Sequence, residues 1–499
     1  MHPIQRHDRA MTRRGLLRTM AAVGGAGALA GPLAACGGSG GTGSGGGSTV
    51  THWDWYESQA PWVANELSLF SKAYPKINVK RTGDAFASYD NLFTLSERSG
   101  DAPDVFFLTP SEPLNQQVQQ GWLLPLDSYA TSSWIRSFPA YSFVEGVNML
   151  DGKIYSAPFT GTAPSNQLYI NNKVFRDAGL TNPDGSVMVP KTWDDVGNAA
   201  ATIVRKSGGA TYGLGFGGAS NDLLLWWFDV LVRSAGSPGG STGLDLRVGK
   251  YTYASDRNYA DLIGVLMEWK KKGYFYPSSL SISDEISRSF FERGKFGMTV
   301  GGVWNEAEWT SNGFTDYSLT TLVGTTDTHQ GYYYANPGGK LLGINAHSKN
   351  AEAAWEWFSW WHSKDAGVRW VQKYNEDLSV HPEANDPKKI NFKPFADYVA
   401  LAPLCIPGPQ PSLRNPAVSN VVVSTVQPDL GSVFAGVYSG QISDVPSALS
   451  SLADRSQQAL TKGITAAQQQ GHKVSAADWV FADWDITKPY KWEIPEYPK

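Results

Sequence analysis

The residues able to do chemistry in this 499-residue chain fall into a few short patterns and one scattered set. Trp304-Asn305-Glu306 places a carboxyl beside an amide and an indole, groups that could protonate or grip a glycosidic linkage. Retaining hydrolysis needs two carboxyls about 5–5.5 Å apart, one as acid/base and one as nucleophile. No second motif at a strand end supplies that partner. Gly213-Leu214-Gly215-Phe216-Gly217-Gly218 satisfies G-x-G-x-x-G, yet no acidic-ended strand follows within the ~30-residue frame of a dinucleotide site, so it reads as ordinary backbone. Gly239-Gly240-Ser241-Thr242-Gly243 fits G-x-S-x-G, but in a Gly/Pro-rich loop with no apolar strand ahead of it to make a nucleophile elbow. The eight His are scattered without metal-ligand spacing, so neither a metal nor a cofactor is expected.

The scattered set suits binding better than catalysis. A sugar offers a C–H face that packs on aromatic rings and hydroxyls that meet planar polar groups. Trp55, Tyr56 and Trp304 are the aromatic candidates, weighed against plain core packing. Glu57, Asp84, Ser111, Thr160, Asn221 and Arg414 are the polar ones. Against them stand solvated surface charge for Glu57 and Asp84, a helix cap for Ser111, and a bridge between lobes for Arg414. The chain holds 19 Trp, 22 Tyr and 21 Phe with only 18% charged residues, more aromatic surface than a core requires. Net charge is −4; residues 1–36 carry five Arg and one Asp, so the remainder is −8, with no basic stripe for nucleic acid.

The elements that must position these residues are legible in order. A strand over 49–55 and a helix opened by Pro61 and stopped by Pro75 are followed by a second strand at Ile77–Val79 and a helix through Phe86, Tyr89 and Phe93. The unbroken run Val105–Leu108 predicts a parallel strand covered on both faces, with Ser111 as N-cap of the next helix and Gly121 ending it. Alternation of this kind is a doubly wound α/β sheet, whose ligands gather beyond the carboxyl ends of the strands. Leu168–Ile170 and a helix ended by Gly179 mark a crossing into a second lobe, where Thr192 and Asp195 form a capping-box start. Further helices are expected from about Asn221, through Leu262, Leu266 and Trp269 to Gly273, from Glu352 to Trp361, from about Val418, and from Asp444 to Gln470. Cys405 reads as a small apolar residue rather than a nucleophile, and the aromatic tail 477–499 as docked on the body.

Five phrases in this order resemble extracellular solute-binding proteins of bacterial ABC importers, the sugar-binding, maltose-binding-protein-like family. They are Ala102–Leu126, Asp151–Gly179, Pro190–Asp194, Phe290–Met298 with Gly301–Trp304, and Gly338–Asn350. The resemblance covers roughly residues 50–465; it departs at Gly297, in the usual Ala place. It implies an α/β, two-lobed periplasmic-binding-protein-like fold (type II), each lobe a sheet flanked by helices, joined by hinge crossings. It also implies a stacking role for Trp304, a carbohydrate ligand, permease subunits as partners, and a monomer. Thr12–Arg18 reads as a twin-arginine export signal, and Leu33-Ala34-Ala35-Cys36 resembles a lipobox, which implies a lipid on Cys36 and extracytoplasmic attachment to the cell membrane. The expected divisions are a signal peptide (1–35), lipidated Cys and tether (36–48), first lobe (49–158), second lobe (159–337), first lobe again (338–405), second lobe and hinge return (406–470), and tail (471–499). Two other readings stand beside this one: a secreted carbohydrate-active enzyme using Glu306, and a glycan-binding adhesin.

Overall fold

The computed structural model describes residues 47–492 apart from Pro337; the export signal, Cys36 and most of the tether lie outside them. The chain enters as β1 (Ser48–Asp54), α1 (Ala60–Ala73), β2 (Ile77–Gly83), α2 (Phe86–Ser99), β3 (Val105–Phe107) and α3 (Leu114–Gln119). Pro61 sits in the first turn of α1, where its missing N–H costs nothing. Then β4 (Gln167–Asn171) leads directly into α4 (Asn172–Ala178), capped by Asn171 at its start and closed by Gly179 at φ +75°. α5 (Trp193–Lys206) begins with the expected reciprocal cap: Thr192 Oγ1 accepts from the Asp195 N–H and Asp195 accepts from the Thr192 N–H, both at 3.0 Å. β5 (Tyr212–Leu214), α6 (Leu225–Val232), α7 (Arg257–Lys271), β6 (Phe296–Gly301), α8 (Trp304–Ser311) and β7 (Tyr317–Thr320) follow. The chain ends with β8 (Tyr333–Ala335), β9 (Leu342–Ile344), α9 (Ala351–Trp361), α10 (Lys393–Ala400), β10 (Cys405–Pro407), α11 (Leu430–Ser439) and α12 (Val445–Gln469).

Two four-stranded sheets define the two lobes. The first has order β9-β3-β1-β2, with β1 parallel to β2 and β3 and the returning β9 antiparallel on β3. The second has order β7-β4-β6-β5, with β5 parallel to β6 but β4 antiparallel to both β6 and β7. Apart from both sheets, β8 and β10 lie side by side in parallel. The earlier crossing pairs with a later segment: the Gly161 N–H donates to Leu378 O at 2.8 Å and the Val380 N–H to Phe159 O at 2.9 Å. The first sheet buries its faces under α1 and α9, where Trp62 meets Trp361 edge to face at 4.7 Å. The second packs α5, α6, α7 and α11 through Val196, Leu231, Leu262 and Phe434.

Departures from the sequence reading have local causes. Ser111 caps nothing; its N–H donates to Asp90 Oδ2 at 3.1 Å, and α3 starts behind Pro113. No long helix begins at Val418: Pro416–Asn420 is a single 3₁₀ turn, and α11 waits for Asp429, whose carboxylate accepts from the Ser432 N–H at 2.7 Å. The Gly-rich 213–218 stretch is packing. A Cβ on Gly213 would lie 2.4 Å from Ala200 Cα in α5, and one on Gly215 would lie 2.4 Å from the Phe296 ring. Ser241 is engaged too, its hydroxyl donating to Asp229 Oδ2 at 2.7 Å.

Gly213→Ala is therefore expected to lower unfolding stability in urea by about 1–3 kcal/mol, the usual cost of overpacking. Stability equal to the parent would show that α5 can shift away without penalty.

Candidate ligand-binding cleft

The carboxyl end of β1 is held by an ion pair. Asp54, with no exposed surface, accepts from Arg81 Nε at 2.7 Å and from Nη2 at 2.6 Å, and Arg81 Nη2 also donates to the Tyr56 carbonyl at 2.5 Å. The Tyr56 N–H donates to Asp54 Oδ1 at 2.8 Å, so the chain leaving the strand is fastened from both sides. This fixes Trp55, half-buried, with its ring edge-on to Phe86, Tyr89 and Phe107 at 5.4, 4.9 and 4.7 Å. Tyr56 turns the other way and stacks on Trp370 at 5.3 Å, so its ring is largely core. Glu57 is exposed. Asp84 follows β2 with its N–H on Asp54 O at 2.9 Å; burial, and then the nearby Asp54 charge, push its carboxyl upward.

In the second lobe Trp304 opens α8 directly beyond β6 and is half-buried. Its ring lies over Gly302, where a Cβ would come within 2.1 Å, so the close approach requires glycine. Trp226, which the sequence reading missed, meets Trp304 edge to face at 5.3 Å. Two residues on, Glu306 is 1% exposed, and its carboxyl oxygens accept from the Tyr169 and Tyr317 hydroxyls, each at 3.1 Å. Burial pushes this carboxyl up to about 8, with the two tyrosine hydroxyls opposing the rise.

The ends of β1 and β6 converge on a third segment, Asn375-Glu376-Asp377, immediately before the 378–380 stretch that pairs with the first crossing. Tyr398 from α10 donates to Asp377 Oδ1 at 2.5 Å. Glu306 feels the charges of Asp397 and Asp377, and Tyr56 feels those of Asp377, Asp54 and Glu376. Burial pushes Glu376 up to about 8 and Asp377 up to about 6. The only sequence signal for this segment was a polar triplet in a run of aromatics, with Asn375 adopting φ +54°.

Of the remaining candidates, one lies beside this segment and two do not. Thr160 is exposed on the first crossing, bridged through its backbone to Ser379. Asn221, also exposed, reaches Ser432 Oγ at 3.4 Å in front of α11. Arg414 is exposed, with its guanidinium 3.5 Å over the Phe481 ring and donating to Val480 O, which ties it to the C-terminal segment. Cys405 is half-buried in β10, and burial pushes its thiol up to about 11, which leaves it a poor nucleophile. Among the described residues no group of three or more His, Cys, Asp or Glu is placed to hold a metal.

Two α/β lobes, each with a half-buried indole just beyond a central strand, are the architecture of a ligand-capturing binding protein. Residues 36–368 match the bacterial extracellular solute-binding protein family, and the chain belongs to it. That membership places its work outside the cytoplasm; among the described residues no helix is long and apolar enough to cross a membrane. The fold is similar to the GacH receptor of Streptomyces glaucescens, solved unliganded and with acarbose, at 19% identity and TM-score 0.61, over 83% of this chain and 99% of that one. It is similar to an ABC transporter solute-binding protein of Thermotoga lettingae bound with α-D-tagatose, at 19% identity and TM-score 0.62, over 83% and 100%. Maltose-bound MalE3 of T. maritima is alike at 18% identity and TM-score 0.61, over 82% and 99%. No curated protein sequence matches the chain.

The raised acids set a pH dependence. Glu306 holds its proton when folded up to about pH 8 but loses it near 4.5 when unfolded, so the folded state binds more protons in between and stability falls as pH rises through that window. Glu306→Gln, which cannot ionise, is expected to be more stable relative to the parent at high pH than at low pH, by up to a few kcal/mol in urea unfolding. A difference that does not change with pH would show that Glu306 is charged throughout.

Proposed function

We propose that this protein captures a sugar or oligosaccharide in the interlobe cleft and delivers it, chemically unchanged, to the permease subunits of an ABC importer. The observation that carries the reading is the pair of half-buried indoles, Trp55 and Trp304, each just after a central strand of its own sheet. Indole faces take the C–H side of a pyranose, and carboxyl and phenol groups take its hydroxyls. Asp84 and Glu57 would serve the first lobe, and Trp226 extends the aromatic surface in the second. Ser111, Thr160 and Asn221 are proposed only as rim contacts. The saccharide ligands of similar folds support the same class.

A hydrolytic role for Glu306 is disfavoured by its setting, since both oxygens are occupied by tyrosines and its surface is closed. The protein is proposed to act as a monomer, exported through Thr12–Arg18 and held to the membrane by a diacylglyceryl group on Cys36.

Trp304→Ala is expected to weaken binding about 10- to 100-fold for the saccharides that raise the melting temperature of the parent, measured by calorimetry. Unchanged affinity for every such saccharide would remove Trp304 from the site; release of products from any of them would overturn the non-catalytic reading. Cys36→Ser is expected to move the protein from the membrane fraction to the soluble fraction, and continued membrane retention would refute the anchor.

A further inference from the structure

The stretch beyond α12 lies outside the family match and has no part in the cleft, yet it is tightly built. Its first half is fastened to the second lobe. Trp479 packs among Val418, Leu460 and Ile464, the Phe481 N–H donates to Leu246 O at 2.7 Å, and Asn415 Nδ2 donates to Lys473 O at 2.8 Å. Arg414 adds its stacking on Phe481. Its second half binds both strands of the β8–β10 pair. Trp484, 6% exposed, meets the Tyr334 ring of β8 edge to face at 4.7 Å, and the Tyr334 hydroxyl donates to Ile486 O at 2.9 Å. The Tyr490 N–H donates to Pro407 O in β10 at 2.8 Å, and Trp492 Nε1 donates to Gly408 O at 2.6 Å.

A two-stranded pair is marginal by itself in water. β8 and β10 are such a pair, three residues each, and the chain must bend near them if the lobes close. From these contacts we propose that residues 473–492 are a strap that binds the crossing pair to the second lobe, so that pair and lobe move as one body. The bend is then left to the first-lobe side, where Gly338 and Gly339 adopt φ +81° and +149° and Gly339 sits against Pro158 with no room for a Cβ. Restricting the unliganded protein in this way reduces the ordering cost that ligand capture must meet. The proposal stands on the two-lobed fold and is independent of the ligand's identity.

The test is hydrogen exchange on the full-length, unliganded protein, comparing the parent with Trp484→Ala and with the milder Tyr334→Phe, which removes the hydroxyl that donates to Ile486 O and accepts from the Tyr332 N–H, so that the Tyr332 amide is left out of the comparison. Exchange at the amides of Tyr333–Ala335 and of Cys405, Ile406 and Gly408 is expected to accelerate about tenfold in the first and a few-fold in the second, with β1 and β6 unchanged. Crossing amides that keep the parent rate in Tyr334→Phe and in any folded Trp484→Ala protein overturn the strap. Acceleration spread evenly over the strands of both lobes overturns it as well, because the tail would then be part of the general core.

Discussion

Everything at the first-lobe face of the cleft depends on one buried ion pair, Asp54 with Arg81. Asp54 is wholly enclosed, and a lone carboxylate there would be intolerable; the guanidinium fork meets both oxygens and its second nitrogen reaches the Tyr56 carbonyl. Breaking such a pair on one side costs about 3–5 kcal/mol, far more than the pair is worth against an apolar replacement, so its value lies in specifying a geometry. The geometry it specifies is the exit of β1: Trp55 toward the cleft, Tyr56 toward the core.

The opposite face solves the same burial problem the other way. Glu306, Glu376 and Asp377 have no ion-pair partner among the described residues, and burial lifts all three toward the neutral form. Tyrosine hydroxyls supply hydrogen bonds to Glu306 and Asp377. One wall of the cleft is therefore organised by a fixed charge, and the floor by acids that can exchange a proton near neutral pH. Glu306, 1% exposed with both oxygens met by tyrosines, is held in place by this packing. The raised acids also make the floor sensitive to pH in a way that the Asp54–Arg81 wall is not.

What was legible in the sequence was whatever is encoded locally. Thr192 with Asp195, Gly179 and Gly273 each act within one turn of chain, and the strand ends Trp55 and Trp304 follow directly from short apolar runs. What stayed hidden was convergence over long separations. Trp226 and Trp304 meet across 78 positions only because α6 packs beside β6, and Asp377 finds Tyr398 and Tyr56 only once the crossings are in place. The contact of Arg414 with the tail stayed hidden for the same reason. A cation in a Pro-rich loop looks available, and the ring that takes it comes 67 residues later in a tail that the family pattern does not include.

That tail changes how the hinge should be pictured. In a clamshell, each crossing is free to divide its bending between the lobes, and the amplitude of closure reflects all of them together. Here β8 and β10 are hydrogen-bonded to each other, and the same C-terminal segment holds one through Tyr334 and the other through Pro407 and Gly408. Its anchoring half is buried against α12 and the loop at Leu246, so the load is carried into the second lobe through Trp479 and Phe481. Aromatic burial of this size is a costly way to finish a chain whose core is already complete, and it is concentrated where the chain must otherwise flex. The side chains that would be idle in a simple terminus are the ones placed to decide which part of the molecule bends.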